Sequence, residues 1–181
     1  EEINKGEEDF RSVLKKSFPN KNYIALHSVG ISNHSTKPYS EADFVVITDF
    51  GIFCLEVKGG LISREKGIWK IGYKDNFYES SEGPFKQAAG TVGPILRALK
   101  DNNNERASKF TINFGVIFPH DEFVNFDIES KKEQTCDKSK ILNFEKFLID
   151  LGSFTKEHFK KRGIFVSSQS ISKEDMIWAS N

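Results

Sequence analysis

The segment from Glu41 to Gly60, EADFVVITDFGIFCLEVKGG, constrains the fold of this chain more than any other part of its sequence. Two apolar runs, Phe44–Thr48 and Ile52–Val57, flank a short turn, which is typical of a β-hairpin. Because strand side chains alternate between the two faces of a sheet, Glu56 and Lys58 are predicted to point the same way. The hairpin therefore carries charge at one end of a strand that is otherwise apolar.

The register of this hairpin decides which charged side chains meet. Counting back from a two-residue turn at Asp49 and Phe50 places Asp43 opposite Glu56, where the two Cβ atoms would lie about 5 Å apart. Two like charges at that distance destabilise a sheet unless a cation compensates, and Lys58 would supply only one positive charge. A Glu–Lys pair alone often lies at a solvent-exposed edge and has no catalytic role. The added Asp43 turns the group into a candidate site for Mg²⁺-assisted hydrolysis of a phosphodiester.

Apolar periodicity along the rest of the chain predicts an α/β fold, with helices packed against a central mixed sheet. Helices are predicted at Gly6–Phe18, Pro84–Lys100 and Ile141–Phe159, the last broken or ended at Gly152, with a short terminal helix that begins at Ser172. Further strands are predicted at Tyr23–Ile31, Leu61–Tyr73 (a hairpin turning at Lys66 and Gly67), Phe110–Pro119 and Gly163–Ser168. Two polar segments, Asp101–Arg106 and Glu129–Lys140, are predicted to be surface loops.

Composition limits the class of protein and its surroundings. The length of 181 residues suits a single domain over 1–181, and 26 basic residues balance 26 acidic ones. This balance argues against a wholly basic nucleic-acid coat, although it leaves room for a local basic groove. Cys54 and Cys136 are expected to be free thiols in the reducing cytoplasm. No signal peptide or membrane span is expected, and a chain that begins with Glu1 is expected to be excised from a longer protein.

The first predicted helix carries an acid on its buried side. Glu7 shares that side with Phe10 and Leu14, whereas Glu8 is expected to face solvent. An acid in the first turn also favours the helix dipole, so the sequence leaves a structural and a functional role of Glu7 open.

Four segments, in order, resemble the NERD (nuclease-related) domain of the PD-(D/E)xK restriction-endonuclease-like superfamily. The resemblance covers roughly residues 5–120. It is carried by Gly6-Glu7 with Phe10 and Leu14, by Asp43-Phe-Val-Val-Ile, by Gly51-Ile-Phe-Cys-Leu-Glu56-Val-Lys58 and by Pro84-Phe-Lys-Gln87.

The resemblance implies a restriction-endonuclease-like core and a role for each matching residue. Asp43, Glu56 and the backbone carbonyl of Val57 would bind Mg²⁺ or Mn²⁺, and Lys58 would be the catalytic lysine. Glu7 would be a further acidic member of the site, and Gln87 would line it from the second long helix. Two positions depart from the pattern, since Ala42 stands where the superfamily nominally has proline and Gln87 falls off the apolar stripe of its helix.

The implied function is a Mg²⁺-dependent deoxyribonuclease domain, and the resemblance also implies fusion to a helicase in DNA repair or antiphage defence as its setting. Two alternatives stay open: a nucleic-acid-binding or docking module that does not cut, and an unrelated α/β scaffold with a chance hairpin. Trp69 and Tyr73 could stack on bases, although packing is their commoner role, and a lone histidine such as His120 is more often a loop residue than a functional one.

Overall fold

The computed structural model describes residues 5–18, 22–31 and 40–181. The helices are α1 (Lys5–Ser17), α2 (Pro84–Ala107), α3 (Phe144–Lys161) and α4 (Lys173–Ala179). The strands are β1 (Tyr23–Ile31), β2 (Ser40–Thr48), β3 (Gly51–Val57), β4 (Leu61–Glu65), β5 (Ile68–Tyr73), β6 (Asn76–Ser80), β7 (Ile112–Phe118) and β8 (Thr135–Asp137). Single 3₁₀ turns occur at Lys132–Gln134 and Ile141–Asn143.

The central sheet has five strands in the order β1-β2-β3-β7-β8. The β1–β2 and β2–β3 pairs are antiparallel, and the β3–β7 and β7–β8 pairs are parallel, so the sheet is mixed. Every residue of β3 is buried, because the strand lies between β2 and β7 and is covered on both faces. The predicted α/β class with a central mixed sheet flanked by helices is confirmed.

Alternate side chains of β3 enter separate cores on the two faces of the sheet. Phe53, Leu55 and Val57 pack in one core with residues of α1 and α3, including Phe10 and Leu148. On the opposite face a second core contains Ile52, Cys54, Leu99 of α2 and Met176 of α4. This alternation is the one predicted from the sequence.

Strands β4, β5 and β6 form a separate antiparallel sheet. The hairpin predicted over Leu61–Tyr73 is confirmed, whereas β6 was not predicted, since Asn76–Ser80 is short and largely polar. Trp69 and Ile71 of β5 are each 2% exposed and pack against a third core that contains Phe85 and Phe118. The small sheet is thereby attached to α2 and β7.

Both polar segments predicted as loops have regular structure instead. Asp101–Arg106 continues α2, with non-helical backbone only at Asn103, whose side-chain oxygen accepts a hydrogen bond from the Arg106 N–H at 3.0 Å and caps the following turn. Glu129–Lys140 contains β8, which is buried because it pairs with β7. Asp101–Glu105 are exposed, so the first segment lies on the surface as predicted and only its helical structure was missed. In the second segment, local polarity is overridden by the pairing with β7.

Two further expectations are wrong. Helix α3 runs through Gly152 without a break, and a Cβ atom there would lie only 3.0 Å from a ring carbon of Phe50, so this glycine serves close packing. Residues Gly163–Ser168 form no strand. The predicted start of the terminal helix is confirmed, since the Ser172 side chain accepts a hydrogen bond from the Asp175 N–H.

Cys54 and Cys136 are both free, as predicted, and both are buried, although Cys136 lies in a segment predicted to be a surface loop. Burial raises the pKa of the Cys54 thiol to about 12, which keeps it protonated. A reducing compartment stays a prediction. In the part of the chain that the structure describes, the helices lack the combination of length and apolar character that crossing a membrane requires.

Asp175 attaches α4 to the end of α2. Its carboxylate accepts hydrogen bonds from Arg106 Nε and Lys109 Nζ, both at 2.8 Å, and from the Ser172 hydroxyl at 3.1 Å. These bonds, that from Lys109 first, hold the pKa of Asp175 below its ordinary value of 3.8. A depressed carboxyl pKa stabilises the fold above the unfolded-state value, and that stability is lost as the pH falls below it.

We therefore expect Asp175→Asn to lower the free energy of unfolding by about 1–3 kcal/mol at pH 7. The difference from the parent protein should shrink as the pH is lowered through 4, as measured by urea unfolding. Asp150→Asn is the matched control, because Asp150 pairs with Lys146 on the surface and both side chains are more than 60% exposed. Its expected effect is below about 0.5 kcal/mol, and equal losses in the two variants would contradict the assignment.

Candidate active site

The β2–β3 hairpin has the register predicted from its two-residue turn. Phe44 pairs with Leu55 and Thr48 with Gly51, so one further step along the strands places Asp43 opposite Glu56. Asp43 is held there by the backbone, since its Oδ2 accepts a hydrogen bond from the Val57 N–H at 2.7 Å. The hairpin thus brings the two predicted acids to the same end of the sheet.

Glu56 and Lys58 form an ion pair at this end of β3. Lys58 Nζ lies 2.6 Å from Glu56 Oε1, and the two side chains are only 17% and 7% exposed. The backbone N–H of Lys58 donates to the Ile117 carbonyl at 2.9 Å, which continues the parallel pairing with β7. The expected placement of both side chains on one face of the strand is therefore confirmed.

Asp43, Glu56 and Lys58 place two acidic groups and one basic group in a poorly solvated site. Burial and repulsion by Asp43 raise the pKa of Glu56 to about 7, against the opposing attraction of Lys58. Burial likewise raises the pKa of Asp43, although its hydrogen bond from Val57 works against this. Burial acts to lower the pKa of Lys58, but its contacts with Glu56 outweigh this and raise it. Two partly buried carboxylates facing one ammonium favour an additional cation.

Glu7 reaches the site from the first turn of α1. It adds to the electrostatic repulsion felt by both Asp43 and Glu56. Its Oε2 also lies 2.9 Å from His27 Nε2, and the His27 ring packs on Phe44 with the centroids 4.7 Å apart. Glu7 is thus near the acids but paired with a β1 histidine that the sequence did not identify as a partner, whereas Glu8 is exposed as predicted.

Gln87 lies in the first turn of α2. Its backbone N–H donates to the Gly83 carbonyl, while its side-chain Oε1 is buried and has no hydrogen-bond partner among the described residues. A buried amide oxygen without a partner is uncommon in folded proteins. Its role in lining the site stays a prediction.

His120, which the sequence analysis treated as a loop residue, fixes the segment that follows Lys58. His120 Nδ1 accepts a hydrogen bond from the Gly60 N–H at 3.0 Å, and His120 Nε2 lies 2.8 Å from Asp9 Oδ2 in α1. The Tyr73 hydroxyl lies 3.0 Å from the same Nδ1 atom. Gly60 has a φ of +89°, a conformation that favours glycine. These contacts join residues distant in sequence, so no local pattern could have revealed them.

Together, the fold and the charged cluster define an α/β protein with an acidic, lysine-containing site at the end of a buried hairpin. The chain belongs to the nuclease-related domain (NERD) family, whose model matches residues 3–132. No curated protein and no solved structure shows significant similarity to the chain. The matched region contains every predicted site residue and His120.

Proposed function

We propose that this chain is a metal-dependent nuclease domain of the PD-(D/E)xK type that hydrolyses phosphodiester bonds in DNA. The observation that carries the proposal is the meeting of Asp43, Glu56 and Lys58, with the Glu56–Lys58 ion pair at 2.6 Å and Asp43 anchored to the Val57 N–H. Membership of a nuclease-related family supports it.

The donor groups of the site fit a hard divalent cation. Within residues 5–18, 22–31 and 40–181, no three His, Cys, Asp or Glu side chains are grouped so as to hold a metal by themselves. Mg²⁺, however, usually takes one or two carboxylates and completes its shell with water and substrate phosphate. Asp43, Glu56 and the Val57 carbonyl would hold Mg²⁺ or Mn²⁺, and the surplus negative charge of the site would be neutralised.

Lys58 and Glu7 would have separate roles around that cation. A bound Mg²⁺ would supply an activated water and neutralise charge on the phosphate. Lys58 is a cation at neutral pH, because Glu56 raises its pKa. It therefore serves the reaction best by donating to a phosphate oxygen as negative charge develops there, and less well as a base. Glu7 adds negative charge at the α1 side of the site.

The test is cleavage of end-labelled DNA by the purified protein with Mg²⁺ or Mn²⁺ and with EDTA. We expect cleavage that requires the metal and is lost in both Asp43→Ala and Lys58→Ala, purified in the same way. Metal-dependent cleavage that survives both substitutions would overturn the proposal. Salt-dependent DNA binding without turnover would favour the non-cleaving binding module instead.

The setting that we propose, a fused or partner helicase in DNA repair or antiphage defence, rests on the family resemblance alone. It is separate from the chemistry of the site, and its failure would leave the nuclease assignment unchanged.

A further inference from the structure

The face of the small sheet that carries Trp69 is buried in one part and exposed to solvent in another. On β5, Trp69 and Ile71 are each 2% exposed, whereas Tyr73, which shares their face, is 39% exposed. Tyr78 of β6 pairs directly with Ile71, so it lies on this same face, and it is 49% exposed. The face is thus buried at Trp69 and Ile71 and presents two tyrosines to solvent, one at the end of β5 and one on the neighbouring strand β6.

The two tyrosines lie beside the candidate active site. The Tyr73 hydroxyl occupies the space that a Cβ atom on Gly59 would need, one residue beyond Lys58. It also contacts His120, which holds the Gly60 N–H. Tyr78 is close enough to Lys58 to interact electrostatically with its ammonium group. The exposed end of the small sheet is therefore one wall of the site.

We infer that Tyr73 and Tyr78 form a stacking surface for unpaired bases, so that the substrate of this site is single-stranded DNA. The inference rests on the proposed function and names its substrate. Exposed aromatic rings stack on any base, because every base has a π-face. In a duplex those faces are already covered by neighbouring base pairs, so only an unpaired strand can use the two rings.

Two further observations agree with an unpaired strand. Lys58 and Glu56 are 17% and 7% exposed, so the phosphate must enter a recess, which a flexible strand does more easily than a duplex. Lys5 Nζ lies 5.9 Å from the centre of the Tyr73 ring, where a cation can also meet a backbone phosphate.

The test is DNA binding without cleavage, measured by fluorescence anisotropy in EDTA and again in Ca²⁺. The probes are a labelled single strand, the same sequence as a duplex, and a single strand with abasic sites. We expect the intact single strand to bind tightest. Tyr78→Ala should weaken that binding about tenfold, Tyr78→Phe should retain it, and binding of the abasic strand should change little in either variant.

Ile68→Ala is the control for the fold of the small sheet, because Ile68 lies on the opposite face of β5 and is 41% exposed. The slope of affinity against salt should be the same in Tyr78→Ala and the parent, since the phosphate contacts remain. The inference is overturned by equal losses on abasic and intact strands, by duplex binding at least as tight as single-strand binding, or by no single-strand binding in either buffer. Because no cleavage is involved, these outcomes are distinct from failure of the proposed nuclease activity.

Discussion

Replacing Lys58 by methionine is expected to slow the proposed metal-dependent DNA cleavage by about 10²–10³-fold, the usual effect of removing one preorganised donor from a charge-developing transition state. Methionine keeps most of the apolar stem of the side chain and removes only the ammonium group. That group lies 2.6 Å from Glu56 in a recess where only 17% of the lysine side chain is exposed. The loss should appear in kcat more than in KM, because the positive charge acts most strongly as charge develops on the phosphate.

The measurement is single-turnover cleavage of a labelled strand at saturating Mg²⁺. Lys161→Met is the matched control, since Lys161 pairs with Glu157 on the surface of α3 and is 72% exposed. The control should cleave at the parental rate. A Lys58→Met variant within about threefold of the parent, well short of the effect expected for a lost donor, would mean that the lysine only balances charge in the resting protein.

Asp43→Asn is expected to raise the stability of the metal-free protein and to lower its affinity for the metal. Asparagine keeps an oxygen that can accept the Val57 N–H bond, so the hairpin geometry is retained. It removes the charge that repels Glu56 and contributes to raising the pKa of that acid to about 7. At pH 8 the metal-free variant should therefore be more stable than the parent by about 1 kcal/mol, the order of one pKa unit.

With metal present, we expect the parent protein to be more stable than the Asp43→Asn variant. A cation that binds only the folded state stabilises it by about 2.7 kcal/mol at a hundredfold excess over its Kd. Mutating a residue that only hydrogen-bonds a metal ligand typically lowers metal affinity by roughly 10–100-fold. Because Asp43 would bind the ion directly, Asp43→Asn should lose more Mn²⁺ affinity than this. The variant should therefore lose most of the stabilisation by metal. Urea unfolding with EDTA and with Mn²⁺ measures both effects, and Asp150→Asn should follow the parent throughout. A parent protein that gains no stability from Mn²⁺ would contradict the metal assignment.

The hairpin that forms the site was predictable because its determinants are local. Alternation in β3 and a two-residue turn at Asp49 and Phe50 fix both the face and the register of Glu56, and the structure has that register. Strand β1 was also predicted, as an extended segment with its observed bounds Tyr23–Ile31. Where apolar periodicity and turn chemistry agree, neighbouring residues carry enough information to position side chains.

The supports of the site were not predictable in this way. The Glu7–His27 pair joins α1 to β1, and the bond from the Gly60 N–H to His120 joins residues sixty positions apart. Neither contact produces a periodic pattern in the sequence from which it could be predicted. Strand β8 was missed for a related reason, because Thr135–Asp137 is too short to show alternation and is buried only through its pairing with β7.

The proposed metal site can be observed in a crystal structure of the protein soaked with Mn²⁺, with the ion located by its anomalous scattering. We expect a peak coordinated by the carboxylates of Asp43 and Glu56 together with the Val57 carbonyl, with Lys58 facing the open side of the ion. A peak bound elsewhere, or carboxylates of Asp43 and Glu56 too far apart to share one ion, would contradict it.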